Sequence, residues 1–258
     1  MFIQNCIEIL TQYSSSLWLG IRTTLILAFI GTSCGLIIGL LVGGLKAVKL
    51  DYTVSPIVKA LKKVFDWFAN IYIAIFRGTP MMVQALFIYY MLLNVIHWNE
   101  FTAAGVVISI NTGAYMAEII RSGIQSVDPG QTEAARSLGM SNAQTMFSVV
   151  LPQAIKNAFP SIGNELIVNI KDSSVLMIIS ITELMFQAKS IAGSTFHFTE
   201  AYFIEAMIYL ILTGIASIIL NAIEKQINKE TPLSIPMSST DPKHVDLSMK
   251  GEKNKWPL

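Results

Sequence analysis

Residues 24–45 read TLILAFIGTSCGLIIGLLVGGL and contain no charged side chain. A helix needs about 20 mostly apolar residues to cross the hydrocarbon core of a bilayer, so this stretch is long enough to span a membrane. Its glycines recur at every fourth position on one strip of the helix surface, at Gly31, Gly35, Gly39 and Gly43. Such a strip lets a neighbouring helix approach closely. The stretch therefore predicts a transmembrane helix that packs tightly against a second one.

The composition of the whole chain agrees with a membrane location. Of its 258 residues, 53% are hydrophobic and only 14% are charged, whereas soluble domains carry about 25% charged residues. This balance excludes soluble, disordered and collagen-like proteins and favours a polytopic membrane protein. A net charge of +1 gives no field that would attract nucleic acid. The two cysteines and three scattered histidines predict neither a disulfide framework nor a metal site.

Four further apolar stretches follow the first one along the chain. The stretch 64–96 is too long for one crossing and is broken by FRGTP at 76–80, where glycine and proline interrupt a helix. We therefore expect an amphipathic first half and a true crossing over 80–96. The remaining predicted crossings cover residues 103–120, 159–185 and 202–222. Five crossings in total predict an all-α polytopic membrane protein.

The distribution of basic residues predicts how these crossings are oriented. The segment 46–63 carries five lysines, whereas the short loop 97–102 has no lysine or arginine. Basic residues favour the cytoplasmic side, so the N-terminus is predicted to face outward and the C-terminus inward. Residues 1–16 then form an extracytoplasmic segment, which lacks the basic start of a signal peptide. Residues 226–258 form a polar cytoplasmic tail that its composition predicts to be disordered.

A polar segment between the third and fourth crossings contains DPGQTEAARSLG at 128–139. Asp128 is a good N-cap for a helix that begins at Pro129, and Gln131 lies where a capping box places its glutamine. Gly139 can end this helix in the left-handed conformation. The segment therefore predicts a short capped helix on the cytoplasmic side.

A second short helix is predicted directly after the first. Ser141 is its N-cap, Gln144 is the capping partner, and the helix is expected to stop before Pro152. The two helices then lie at an angle to each other between two crossings. Ala134 and Ala135 keep one face of the first helix slim, so that a partner surface can come close.

These short helices resemble the EAA loop of ATP-binding-cassette (ABC) importer permeases. The residues that carry this resemblance are Glu133, Ala134, Ala135 and Gly139, followed by Leu151 and Pro152. The chain also resembles the polar amino-acid subfamily, which includes histidine, glutamine and arginine permeases. The motifs shared with it are FRGTP at 76–80, NTGAY at 111–115, Glu118, RSGI at 121–124, Gly130–Gln131 and KDSS at 171–174. Their order and spacing extend the resemblance over residues 14–225.

The resemblance implies both a fold and a mechanism. The fold is the five-helix, MetI-like fold of type I importer permeases, with a permease domain at 17–225 and a coupling loop at 128–152. A second permease subunit completes the pathway in the cytoplasmic membrane of a prokaryote. Cytoplasmic ABC ATPase subunits receive the loops, and an extracytoplasmic binding protein delivers polar amino acids. The implied coupling residues are Gln131, Glu133, Ala134, Ala135, Gly139, Leu151 and Pro152.

The chain itself has no phosphate-binding loop. Neither G-x-x-x-x-G-K-[ST] nor G-x-G-x-x-G occurs in it, so ATP and Mg²⁺ are expected on the partner ATPase and no cofactor is expected on this chain. No H-E-x-x-H sequence supplies a catalytic metal, and no catalytic residue is predicted. A secondary transporter driven by an ion gradient is the alternative, although five crossings without a detectable repeat argue against it.

Polar side chains inside the predicted crossings form two stripes at i, i+4, i+7 spacing. The stripes are Asn111, Tyr115 and Glu118 in the third crossing and Glu165, Asn169 and Asp172 in the fourth. A charge at mid-bilayer costs about 2.5–3.5 kcal/mol, so these side chains must face protein or water. They either line the transport pathway or form hydrogen bonds between helices.

Arg77 lies beside the predicted helix break. It either contacts a substrate carboxylate or moves during gating, or it has a structural role, in which it pairs with Glu118 or Asp172 or caps exposed carbonyl groups. Lys171 and Asp172 are adjacent and cannot face each other on a helix, so each of them needs another partner, for which Glu118 and Arg121 are the candidates. The candidate pathway residues are Arg77, Gly78, Thr79, Asn111, Tyr115, Glu118, Glu165, Asn169, Lys171 and Asp172.

Overall fold

The computed structural model describes residues 1–48, 50 and 54–229, and this part of the chain is helical without strands. Lys49 of the predicted cytoplasmic segment and residues 230–258 of the predicted tail lie outside the described residues. The helices are α1 (Phe2–Gln12), α2 (Ser14–Ala47), α3 (Pro56–Gly78), α4 (Met81–Ile96), α5 (Glu100–Gln125), α6 (Pro129–Ser137), α7 (Asn142–Thr145), α8 (Leu151–Asp172), α9 (Leu184–Thr195) and α10 (Phe198–Lys229). A π-helical turn (Met146–Val150) precedes α8, and a 3₁₀ turn (Ser173–Ile179) follows it.

Helices α2 and α5 form the centre of the bundle and run in the same direction. The glycine strip of α2 lies directly against α5: a Cβ added at Gly31 would be 2.8 Å from Ile108, and one at Gly35 would be 2.8 Å from Thr112. The two later glycines of the strip approach Met116 and Ala117 of α5 still more closely. The strip is therefore the packing surface that the sequence predicts. The helix is longer than the stretch 24–45, because it extends this stretch at both ends.

The predicted break in the second apolar stretch is present. Helix α3 ends at Gly78 and α4 begins at Met81, and the two helix axes differ by 114°. With 16 residues, α4 is shorter than the about 20 residues that a crossing needs. The prediction of a complete crossing over 80–96 is therefore wrong, and α3 and α4 form this crossing together.

Helix α3 begins at Pro56, inside the lysine-rich segment 46–63 that is predicted to lie on the cytoplasmic side. The Ser55 hydroxyl accepts a hydrogen bond from the Ile57 N–H at 3.4 Å, and Pro56 occupies the first helical position. The lysines recur between apolar residues at helical spacing, so this part of the chain is an amphipathic helix. Charge alone marks the side of the membrane, but it does not distinguish a loop from a helix that lies at the surface.

The sequence predicts that the helix capped by Ser141 stops before Pro152. In the structure the helical path continues past Pro152. Pro152 is the second residue of α8, directly after the π-helical turn in which the Leu151 N–H bonds to the Met146 carbonyl. Proline is tolerated in the first turn of a helix, because its missing N–H has no obligatory acceptor there. A continuous helical path therefore leads from the polar loop into the fourth crossing.

The sequence predicts a single helix over 159–185 for the fourth crossing, but the structure has two. The crossing turns by 57° between the 3₁₀ segment and α9. Ser180 ends the first part with a φ of +67°. The Glu183 carboxylate then caps α9 by accepting hydrogen bonds from the N–H groups of Met185 at 2.9 Å and Phe186 at 2.7 Å. A left-handed serine followed by a new N-cap explains the change of direction.

Helices α1 and α10 pack together at the end of the bundle where α2 begins. Asn5 Nδ2 donates to Glu200 Oε1 at 2.9 Å, and α10 then runs to Lys229 at the opposite end, past the predicted start of the tail at 226. Three helices, α2, α5 and α10, are long and apolar enough to cross a membrane, and counting each of the two bent pairs as one crossing gives five. This arrangement confirms the all-α fold and fits the predicted five crossings, while the side that each end faces stays a prediction.

We expect Gly39→Ala to destabilise the protein, because the added Cβ would lie 2.8 Å from the Met116 carbonyl carbon. Overpacking of this kind costs about 1–3 kcal/mol, which should lower the midpoint of thermal unfolding of the purified protein in detergent. Gly44→Ala is the matched control, because nothing lies within 4 Å of a Cβ at that position. Equal unfolding midpoints for the two variants would contradict the packing role of the strip.

Candidate functional site

The polar loop between α5 and α8 begins with the predicted short helix α6. The Asp128 carboxylate accepts a hydrogen bond from the Gly130 N–H at 2.8 Å, and Gly139 has a φ of +83°. Both features confirm the predicted ends of this helix. The position of Gln131 predicts that its side chain caps α6, but this cap is not formed. The side-chain oxygen of Gln131 instead accepts a hydrogen bond from Gln153 at 3.4 Å. This contact attaches α6 to the start of α8.

Helix α7 follows with the predicted capping box. The Ser141 N–H donates to Gln144 Oε1 at 2.9 Å, and the Gln144 N–H donates to Ser141 Oγ at 3.3 Å. Thr145, the last residue of α7, is 2% exposed and anchors the helix to the bundle. The caps of α6 and α7 therefore hold the loop in one defined shape.

The outer face of this loop combines polar and apolar side chains. The sequence suggests that Ala135 keeps the outer face slim for a partner. In the structure Ala135 is only 5% exposed and faces its own chain. Leu138 is 84% exposed and Phe147 is 62% exposed. Large apolar side chains on an exposed loop mark a surface that another protein covers. Leu151 is half-buried, and the exposed members of the predicted coupling set are Gln131, Glu133, Ala134, Gly139 and Pro152.

The polar stripe of α5 faces the break between α3 and α4. Asn111 Nδ2 donates to the Phe76 carbonyl at 3.2 Å and to Gln84 Oε1 at 2.9 Å. Gln84 Nε2 in turn donates to the carbonyl oxygens of Phe76 at 3.0 Å and Thr79 at 2.9 Å. Gln84 is not among the residues that the sequence predicts for this site. The available signal is an amide side chain one helical turn after Pro80, in a largely apolar run.

One turn along the stripe, a carboxylate is shared by three basic side chains. Arg77 Cζ lies 5.4 Å from the centre of the Tyr115 ring, and Arg77 Nη1 lies 3.5 Å from Glu118. Glu118 also pairs with Arg121 at 2.9 Å and with Lys46 at 3.8 Å. The structure thus contains the first of the two pairings expected for Arg77. Because one negative charge faces three positive ones, this group of side chains carries a net positive charge.

Asn169 belongs to a different group of side chains, which joins α2, α5 and α8. Thr112 Oγ1 donates to Asn169 Oδ1 at 2.9 Å, and Asn169 Nδ2 donates to Thr32 Oγ1 at 2.9 Å. Asn169 is 3% exposed. Both ends of its amide are used between helices, so the geometry favours the structural alternative for this residue.

A cavity of ≈ 430 Å³ lies between α5 and α8 beside the shared carboxylate. Half-buried Glu165 brings a second carboxylate to it from α8. Hydroxyl and amide side chains complete a polar lining that fits a small charged molecule. The residues that line it include Arg77, Tyr115, Glu118, Asn157, Ser161 and Glu165.

The last predicted pathway residues lie away from this cavity. Lys171 and Asp172 are exposed at the end of α8, and Gly78 and Thr79 are exposed at the helix break. Within the described part of the chain, the ion-pair partners of Glu118 are Lys46, Arg77 and Arg121. Neither Lys171 nor Asp172 therefore forms an ion pair with Glu118 or Arg121 in this part of the chain.

The described residues contain no group of three or more His, Cys, Asp or Glu side chains that could hold a metal ion. The string GTSCG at 31–35 matches the G-x-S-x-G pattern of hydrolases. That pattern requires a sharp turn between a strand and a helix, whereas these residues lie inside α2. The string is therefore part of the packing strip and not a nucleophile motif.

Residues 35–229 match the family of binding-protein-dependent transport system inner membrane components. The chain belongs to this family. It is therefore a multi-pass protein of the bacterial inner membrane and a permease component of an ABC transport system. The matched region includes the polar face of α5, the cavity and the capped loop.

Relatives of this permease include permease proteins named for amino-acid transport systems. It is 36% identical over 215 residues to the glutamine transport system permease protein GlnP of Escherichia coli (strain K12), covering 80% of this chain and 90% of that protein. It is 35% identical over 210 residues to the arginine transport system permease protein ArtQ of Bacillus subtilis (strain 168), covering 81% and 90% respectively.

Solved structures show the same fold for the permease. The crystal structure of an amino acid ABC transporter with histidines matches it with a TM-score of 0.74 and 39% identity, over 84% of this chain and 96% of that chain. The inward-facing MetNI methionine ABC transporter matches with a TM-score of 0.71 over 84% of this chain and 98% of that chain. At 18% identity the second match shows the fold alone. Both confirm the MetI-like permease fold.

Replacing Asn169 by leucine should destabilise the permease, because the buried Thr112 and the Thr32 hydroxyl would lose their partner. The expected loss is about 1–3 kcal/mol, which thermal unfolding in detergent measures as a lower midpoint. Asn164→Leu is the matched control on the same helix, because Asn164 is exposed. A normal midpoint for Asn169→Leu would show that the group does not hold the three helices together.

Proposed function

We propose that this chain is the permease subunit of an ABC importer that carries polar amino acids across the cytoplasmic membrane. The observation that carries the proposal is the capped loop α6–α7, which presents Glu133, Ala134 and the exposed Leu138 at the end of the bundle where α2 ends. A rigid loop with exposed apolar side chains is suited to dock into a partner protein. The names of the relatives, which refer to glutamine and arginine transport, support the substrate class.

Coupling between the loop and the pathway follows from the continuity of the helix. The helical path from Asn142 to Ile179 connects the loop to the residues around the cavity without an interruption larger than a π-helical or 3₁₀ turn. A displacement of α7 is therefore transmitted along α8 to Glu165. An ATPase that moves the loop on binding ATP would change the shape of the cavity in this way.

The cavity supports a charged, polar substrate. A free amino acid carries a carboxylate and an ammonium group. Arg77 lies 3.5 Å from Glu118, closer than Lys46 at 3.8 Å, but it is Arg77 that lines the cavity. It offers a partner for the carboxylate. Glu165 offers a partner for the ammonium group. Together they suit a zwitterion better than an apolar molecule.

Several partners follow from this proposal. A cytoplasmic ABC ATPase binds ATP and Mg²⁺ and performs the hydrolysis, so this chain is not itself an enzyme. A second permease subunit, identical or different, completes the pathway within the lipid. An extracytoplasmic binding protein delivers the amino acid with the predicted orientation, in which the start of α2 faces outward and the end of α10 faces inward.

Purification of the chain from native membranes in mild detergent, followed by mass spectrometry, tests the proposed partners. We expect an ATPase with a phosphate-binding loop at near-equal stoichiometry. Uptake of radiolabelled glutamine and arginine should then stop when cells are depleted of ATP while the ion gradient is maintained. Uptake that persists without ATP, together with the absence of an ATPase, would instead support an ion-gradient-driven secondary transporter.

Leu138→Ala should reduce the amount of ATPase that copurifies with the permease and lower uptake, because it removes an exposed apolar contact from the loop. The expected loss corresponds to about 1–2 kcal/mol, or roughly tenfold in affinity. Phe196→Ala is the matched control, since Phe196 is 79% exposed at the opposite end of the bundle.

Glu133→Ala should have a similar effect, with Glu8→Ala as its control. Both glutamates are exposed, but Glu8 lies in α1 at the other end of the bundle. Normal copurification and normal uptake for both loop variants would refute coupling through this surface.

A further inference from the structure

The break between α3 and α4 creates a problem that the membrane makes severe. The last carbonyl groups of a helix have no backbone donor, and the hydrocarbon core has no water to replace one. At this break the Thr79 hydroxyl donates to the Ile75 carbonyl at 2.7 Å. The Phe76 and Thr79 carbonyls are satisfied by the side-chain amides described above. Two amides from two other parts of the chain therefore complete the hydrogen bonding of the break.

These two amides also bond to each other. Asn111 Nδ2 donates to Gln84 Oε1 at 2.9 Å, and both side chains donate to the Phe76 carbonyl. Gln84 is 6% exposed and Asn111 is 9% exposed. Gln84 belongs to α4 and Asn111 to α5, so the group ties the end of α3 to both of its neighbours. A further bond from the Tyr72 hydroxyl to the Ile110 carbonyl at 2.6 Å attaches the preceding turn of α3 to α5.

Arg77 is the residue that this group positions. It directly follows Phe76, whose carbonyl receives both amides, and its guanidinium lies against Tyr115 and Glu118. Asn111, Tyr115 and Glu118 lie on one face of α5, so the amides and the partners of Arg77 share one rigid support. The exposed Gly78 that comes next would otherwise leave this turn free to move.

We propose that Gln84 and Asn111 form a clamp that positions Arg77 at the cavity during transport. They are positioning residues: neither lines the cavity, and both act through the backbone of the break. The Thr32–Thr112–Asn169 group provides a natural comparison, because it also joins helices through buried amide and hydroxyl groups but does not contact the break. Only the transport readout rests on the proposed function.

A double-mutant cycle on uptake tests the clamp in the reconstituted complex of permease, ATPase and binding protein. Gln84→Leu and Arg77→Gln should each lower the initial rate of glutamine or arginine uptake by at least about tenfold, and the double variant should lose no more than the larger single loss. Asn169→Leu combined with Arg77→Gln should give a multiplied loss. A multiplied loss for Gln84→Leu with Arg77→Gln, or normal uptake for Gln84→Leu, would overturn the proposal.

Cross-linking tests the same proposal without any transport. Arg77 and Glu118 meet only through long side chains, so cysteines at both positions, in a Cys34→Ser background, are linked with a short bismaleimide. Gln84→Leu should slow this cross-linking by at least about fivefold, whereas Asn169→Leu should leave its rate unchanged. An unchanged rate in Gln84→Leu would overturn the clamp. Should Gln84→Leu not assemble, Asn111→Ser takes its place with the same two outcomes.

The two measurements also separate the clamp from the proposed function. If the unmodified complex transports neither glutamine nor arginine, the proposed substrate class fails, and the cross-linking rate still decides whether the clamp holds residue 77. If the complex transports normally but Gln84→Leu changes neither readout, the clamp fails and the proposed function stands.

Discussion

The close contact between α2 and α5 is the constraint on which the rest of the structure depends. Lipid chains are as apolar as leucine, so helices in a membrane gain little from hiding apolar surface and must gain from close packing. The glycine strip of α2 allows this, because a Cβ at Gly31 or Gly35 would already collide with α5. Helix α5 consequently lies in the interior, and its polar residues must find partners within the protein.

The polar residues of α5 find these partners in different directions. Asn111 and Thr112 are neighbours, yet Asn111 bonds to the break between α3 and α4, whereas Thr112 bonds to Asn169 of α8. Successive residues point about 100° apart on a helix, so one central helix can serve two adjacent walls. The stripe of α5 therefore serves both purposes that the sequence leaves open: Asn111 forms hydrogen bonds between helices, and Glu118 lies at the cavity.

Much of this fold is readable from the sequence, because it depends on local chemistry. The apolar composition of residues 24–45 is enough to predict a crossing, and the Ser141 capping box and the left-handed Gly139 each act within about one helical turn. The continuation through Pro152 and the bend after Ser180 were not predictable from such rules, since a π-helical turn and a cap by Glu183 decide them. Gln84 was missed for a related reason. Its role depends on the Phe76 carbonyl of another helix, and an amide in a largely apolar run does not identify that partner.

The charges around the cavity indicate which basic residue a substrate carboxylate would bind. Glu118 faces Lys46, Arg77 and Arg121, so the group retains positive charge that no described carboxylate neutralises within ion-pair distance. Arg121 makes the closest contact, through two nitrogens of its guanidinium. Arg77 makes a single, longer contact and also lines the cavity. Of the two basic residues that line the cavity, Arg77 is the less closely paired, so an incoming carboxylate would compete for Arg77 before Arg121. Arg77 would then alternate between Glu118 and the substrate carboxylate, and it must return to the same position after each exchange. A clamp on the backbone beside Arg77 keeps that position fixed.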